Sequence, residues 1–279
     1  MPFDPEPERR LKMLHPLRRR SEMQRRRFRR GVYLLPSLFT LANMFCGYAC
    51  IVYATRGEYE MAAPLIGFAV ILDMLDGRIA RMTGTTSAFG VEFDSLADVV
   101  SFGMAPAVLV FMWGLEPLGR LGWAAGFLFL TGGAIRLARF NIQATTDKRY
   151  FVGMPIPAAA AVPAATVYVY PAGLHDYASA LPALALMLIP AVLMVSTIRF
   201  RSFKTIDLHA RRPYTVLLLV AVMFGAIATH PRWTLLVIAY GYLLSAFIGM
   251  GISRLRRRGG GGDAEARVVD EPRAKPAQE

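Results

Sequence analysis

The sequence predicts an all-α, polytopic membrane protein of about eight transmembrane helices with both termini in the cytoplasm. Three observations predict it: an excess of apolar residues, long runs almost free of charge, and a one-sided distribution of lysine and arginine. Of the 279 residues, 54% are hydrophobic and 19% charged, with a mean hydropathy of +0.38. A soluble domain carries about 25% charged residues. The runs that read as spans lie at roughly 34–55, 61–80, 95–113, 122–139, 156–172, 180–198, 214–229 and 233–252. When alternate loops are assigned to opposite sides, 29 of the 32 Lys and Arg residues fall with the N-terminus. The other three are Arg56, Arg120 and Arg232. That bias places both tails and the richer loops in the cytoplasm.

Taken in order, the first thirty residues hold eleven of those basic groups, directly before the first span. The block is a positive-inside anchor that can also meet anionic head groups. No aromatic platform accompanies it, which argues against nucleic acid. The arginines at 25–30 superficially suggest a twin-arginine leader. However, no small-residue cleavage site follows, so the segment reads as a retained first helix. Cys46 and Cys50 are one turn apart within that helix and read as packing residues. The four histidines are scattered without metal-ligand spacing. No internal repeat supports an inverted-repeat transporter. The four-glycine run from Gly259 and the polar stretch after it are too poor in apolar residues to fold, so a disordered tail is expected.

The chemistry concentrates in the segment LDMLDGRIARMTGTTSAFGVEFDSLADVVS at 72–101. Asp73 and Asp76 are three apart near the end of the second span, and Asp94 and Asp98 four apart at the start of the third. Each spacing puts its pair on one helix face, and the short loop makes the two helices antiparallel neighbours. An ionised Asp inside a span costs ~2.5–3.5 kcal/mol on insertion scales. Four together also repel, with only Arg78 and Arg81 nearby. One or two divalent cations relieve that penalty. A set of oxygen ligands without Cys or His points to Mg²⁺, Mn²⁺ or Ca²⁺ rather than zinc. The plain alternative, solvated or arginine-paired carboxylates, suits any one of them but not four at paired spacing. Gly77 and Gly90 can admit a ligand to the backbone or serve helix packing.

Asp73-x2-Asp76-Gly77-x2-Ala80-Arg81-x8-Gly90-x3-Asp94-x3-Asp98 resembles, position for position, the signature of the CDP-alcohol phosphatidyltransferase family. The resemblance implies displacement of CMP from a CDP-linked lipid by an alcohol. Asp73, Asp76, Asp94 and Asp98 would be ligands to Mg²⁺ or Mn²⁺, with Asp98 also the base for the alcohol. Gly77, Arg81, Ser87 and Gly90 would lie around the CDP moiety, and Thr40 and Asn43 of the first span would line the nucleotide pocket. Arg136 and Arg139 read either as positive-inside anchors or as a cationic wall for the lipid phosphate or the acceptor.

Four further stretches resemble the phosphatidylserine synthase branch: PSLFTLANMFCG at 36–47, FGVEFDSLADVVSFGMAP at 89–106, GGAIRLARFN at 132–141 with FVGMPIPAAA from Phe151, and LMVSTIRFRSFK at 193–204. By that resemblance the substrates are CDP-diacylglycerol and L-serine, drawn from the inner membrane and the cytosol, and a homodimer is expected. The expected organisation is a basic cytoplasmic tail (1–33), the transferase core (34–204), two additional helices (205–253) and a disordered tail (254–279). Two other readings stand beside it. A sister enzyme would use glycerol 3-phosphate or an inositol phosphate and need a more basic pocket. A cation transporter would use the intramembrane carboxylates but leaves the Gly–Ala–Arg–Gly spacing without a role.

Overall fold

The structure, a computed structural model, describes residues 36–84, 87–143, 151–196, 199–200 and 213–259. The basic N-terminal tail, the polar C-terminal tail from 260 and the stretch at 201–212 lie outside the described residues. Within them are eight helices: α1 (Pro36–Thr55), α2 (Tyr59–Thr83), α3 (Ala88–Leu118), α4 (Arg120–Gln143), α5 (Ile156–Val169), α6 (Tyr177–Val195), α7 (Pro213–Thr229) and α8 (Pro231–Gly259). Two short strands, β1 (Phe151–Val152) and β2 (Arg199–Phe200), pair antiparallel and join the α4–α5 and α6–α7 connections.

The eight apolar runs of the sequence each fall on one helix. Four of these helices, α1, α3, α4 and α6, are long and apolar enough to cross a membrane, and the chain is a membrane protein. Among the rest, α2 carries the Asp73–Asp76 pair, and α5 is only 14 residues long. Large apolar side chains face outward on separate helices: Phe45 is 66% exposed, Phe68 58%, Trp123 72% and Val192 68%. In water such a surface would drive association, but against acyl chains it needs no cover. One boundary differs from expectation. The α8 backbone runs on through the arginine run at 256–258 to Gly259, past the expected limit at 253. Arginine favours helix, and positive charge suits a helix C-terminus.

Short α5 is the centre of the bundle. It packs against α2, α6 and α8 and touches α3 and α4. Its sequence, IPAAAAVPAATVYV, is mostly small residues, and Ala159, Ala160, Ala164 and Ala165 are all buried. Small side chains let neighbouring backbones approach where no hydrophobic effect drives helices together. Pro155 caps α5 and Pro157 occupies its first turn, where a missing N–H is harmless. Along α3 the backbone widens into π turns at Val99–Met104 and Phe111–Leu115. The first ends just before Pro106, which cannot donate to the ladder.

The two ends of the bundle differ in chemistry. Where α2 begins and α3 ends, polar edges of aromatic residues tie the helices. Tyr59 Oη donates to the Met112 carbonyl (2.6 Å), and Trp113 Nε1 donates to that of Tyr170 (2.8 Å). Arg232 of α8 pairs with Glu60 at 3.3 Å and lies over the Tyr168 ring. Amphipathic rings at one level mark a membrane–water interface. The opposite end holds the aspartates.

Gly153, between β1 and α5, has φ +87°, and a Cβ there would lie 2.5 Å from the Met194 carbonyl oxygen. Gly153→Ala is expected to lose about 1–3 kcal/mol, read as a lower Tm in detergent. Gly67→Ala, where a Cβ meets nothing within 4 Å, should leave Tm unchanged or slightly raised.

Candidate active site

The site grows from the α2–α3 hairpin. Gly84 ends α2 in the left-handed region (φ 62°), its N–H bonded to the Ala80 carbonyl. Ser87 begins α3 as its N-cap, with Oγ accepting from the Gly90 N–H at 3.0 Å. From that turn Asp76 lies back along α2 and Asp94 forward along α3 by similar distances, roughly 10 Å at the helical rise. The two pairs therefore reach one level. Carboxylate oxygens of Asp73, Asp76 and Asp94 lie within 4.8 Å of one another. Asp98, one turn further along α3, is buried and meets the Asp73 carboxyl at hydrogen-bonding range. It also feels the charges of Asp76 and Asp94, so the four form one electrostatic cluster.

Helix α1 holds this cluster in shape. Thr40 Oγ1 donates to Asp76 Oδ2 at 3.0 Å, and Asn43 Nδ2 to Asp98 Oδ1 at 3.5 Å. Ser101 Oγ on α3 donates to the Asn43 carbonyl at 2.9 Å. All three residues are buried. Their contact depends on Gly47, where a Cβ would lie 2.6 Å from Ser101 Cα. Thr40 and Asn43, expected from the family resemblance to line a nucleotide pocket, are thus placed against the aspartates, each orienting one carboxylate. Ser101 carried no expectation. Its one sequence signal is a hydroxyl three residues beyond Asp98 in an otherwise apolar run.

The remaining candidates are placed as follows. Arg81 Nε donates to the Gly77 carbonyl at 2.7 Å, which sets the exposed guanidinium one turn from Gly77. A Cβ on Gly77 would meet only Arg81, at 3.9 Å, so this glycine leaves space open rather than letting helices pack. The hydroxyl of exposed Ser87 is used as the α3 cap. On α4, half-buried Arg136 is an electrostatic neighbour of Asp98, and half-buried Arg139 lies three residues on. Asn141 Nδ2 donates to Ser95 Oγ at 3.0 Å and fastens the end of α4 to the aspartate-bearing part of α3.

Two buried carboxylate oxygens, Asp76 Oδ1 and Asp94 Oδ1, have no hydrogen-bond donor. A buried acceptor without a donor is costly, and hard oxygens converging within 4.8 Å are the donor set of a divalent cation. The cluster is compatible with one.

Comparison with known proteins adds independent findings. The family model for CDP-alcohol phosphatidyltransferase matches residues 33–198. A CDP-diacylglycerol–serine O-phosphatidyltransferase of Helicobacter pylori is 42% identical over 199 residues, covering 69% of this chain and 82% of that protein. One from Mycobacterium leprae is 43% identical over 144 residues, 49% of this chain and 48% of its own. An archaetidylserine synthase of Methanothermobacter thermautotrophicus is 37% identical over 168 residues, 60% of this chain and 69% of its own.

Removing the α1 donors should loosen the carboxylates without unfolding the bundle. Thr40→Val and Asn43→Ala are each expected to weaken Mn²⁺ binding about 10-fold or more. Electron paramagnetic resonance of the free ion measures this, alongside an unchanged far-UV spectrum.

Proposed function

The chain belongs to the CDP-alcohol phosphatidyltransferase family, and on that premise we propose that it transfers the phosphatidyl group of CDP-diacylglycerol to L-serine, giving phosphatidylserine and CMP. The observation that carries the chemistry is the convergence of the four signature aspartates at one end of the bundle. The acceptor rests on the relatives. The Helicobacter and Mycobacterium relatives transfer to serine by name, and the Methanothermobacter one is named an archaetidylserine synthase. Serine is what those names share.

In this reaction the serine hydroxyl oxygen attacks the phosphorus that carries the diacylglycerol. A new P–O bond forms, the P–O bond to CMP breaks, and CMP leaves with the electron pair. Asp98 takes the hydroxyl proton; Asn43, on one of its oxygens, holds the carboxylate toward the cluster. Asp73, Asp76 and Asp94, joined by Asp98, would hold Mg²⁺ or Mn²⁺, which supplies charge neutralisation at the pyrophosphate when bound. Arg81 and the open space at Gly77 receive the CDP phosphates, since a guanidinium fork matches phosphate oxygens. Ser87 and Gly90 shape the same edge through the α3 cap.

The positive-inside bias supports eight spans, both termini in the cytoplasm, and a site facing the cytosol from the cell's inner membrane. Serine and CMP then exchange with water. The lipid arrives sideways past exposed apolar residues flanking the aspartates, among them Met74, Phe89 and Leu96. A homodimer belongs to the same proposal, and the mass of the detergent-solubilised protein tests it.

Purified protein in mixed micelles with CDP-diacylglycerol, labelled L-serine and Mn²⁺ should make labelled lipid and equimolar CMP. Asp98→Asn is expected to reduce the rate at least about 100-fold. CMP released with glycerol 3-phosphate or an inositol phosphate, but not serine, would move the acceptor within the family. Absence of CMP with every alcohol, in folded protein, would refute transfer altogether.

A further inference from the structure

Away from the aspartates, a cavity of about 280 Å³ opens between α6 and α8, with α5 as its floor and Trp113 at its aromatic end. Packed interiors keep few voids larger than a water molecule, so this one is a feature of the fold. Its origin lies in the packing: α6 and α8 both lie on α5 but hardly touch each other. Pro182, Ala185 and Ile189 line it from α6 at spacings of three and four, one stripe of that helix. All three are exposed. The groove is therefore open sideways and continuous with the lipid-facing surface to which exposed Leu181 and Val192 belong.

The lining decides what can enter. Every side-chain donor on it is already engaged. Thr166 Oγ1 donates to the Val162 carbonyl and, its proton so used, accepts from Tyr240 Oη, both at 2.9 Å. Trp113 Nε1 donates to the Tyr170 carbonyl. A buried water needs about two to four polar partners, and this surface has no donor to spare for one. At the helical rise, Pro182 and Ile189 lie roughly 8 and 18 Å along α6 from its start at Tyr177. One leaflet's hydrocarbon is about 15 Å thick. The groove thus sits within the leaflet at the aromatic end, where the apolar matter at hand is acyl chain. A helix of the same span, about 10 Å, would occupy roughly 800 Å³, so a whole helix does not fit.

We propose that this groove is a resident-lipid site. One acyl chain of a phospholipid from the leaflet at the aromatic end wedges between α6 and α8. It completes the packing of α8, a helix outside the family match at 33–198. Head-group chemistry does not select that lipid, because the lining has no free donor to read it. Occupancy is independent of the transfer reaction, whose aspartates lie at the other end.

The test uses full-length protein and a phosphatidylcholine carrying a diazirine midway along one acyl chain. After loading, a detergent column strips loosely held lipid, and illumination followed by peptide mass spectrometry locates what remains. Label should fall on the α6 segment around Ala185 and the α8 segment around Tyr240, and Asp98→Asn should carry as much as wild type. Ala185→Phe and Ile189→Trp, two separate ways of filling the groove, should each lose it. Unlabelled phosphatidylglycerol should compete as well as phosphatidylcholine. Added phospholipid should raise the Tm of the wild type by about 3 °C or more and leave that of the filled variants unchanged. Label no stronger there than on exposed Phe68, or undiminished in the filled variants, would overturn the proposal. So would filled variants that lose self-association while keeping the lipid, which would give the groove to a second copy of the chain.

Discussion

Four carboxylates gathered in a helical bundle repel one another, and the surrounding structure answers that repulsion. Buried Asp76 and Asp98 stand where unpaired charge is most expensive. The α1 side chains donate to one oxygen of each, while buried oxygens of Asp76 and Asp94 stay without a donor. The set is satisfied by protein only in part, and the hard oxygens left over are compatible with a divalent cation. A soluble site could leave such a deficit to water. At the end of a bundle whose outer face is apolar, bound groups must supply more of it.

Rigidity follows from the same need. Donors on α1 can serve acceptors on α2 and α3 only if three backbones stay in register to within a few tenths of an ångström. The Gly47–Ser101 contact sets that spacing, and the π turn after Asp98 carries Ser101, Phe102 and Gly103 into the interior together. Extra residues in a helical turn are a common mark of functional sites. Behind them, the alanine-rich α5 lets α2, α6 and α8 close around one axis. The end of α4, which carries Arg136 and Arg139, is fastened to the aspartate-bearing part of α3 by Asn141 and Ser95.

Much of this was legible in the sequence. Span lengths and charge bias are local properties, and each expected run became a helix. The paired Asp spacings were legible because helical periodicity and one short loop suffice to bring four residues to one level. The tasks of Thr40 and Asn43 were not. A polar residue in a span signals that it has a partner, but the partner lies 36 or 55 residues away, and no local pattern encodes that distance.

The sequence by itself determined the membrane class, the helices, the aspartate hairpin and the family, because bilayer thickness, helical rise and ligand chemistry act on neighbouring residues. Only the tertiary structure decided which helix sits at the centre and which side chains of α1 hold Asp76 and Asp98. Those outcomes depend on how closely backbones can approach and on which face each helix turns inward. Both are set by packing among segments far apart in the chain.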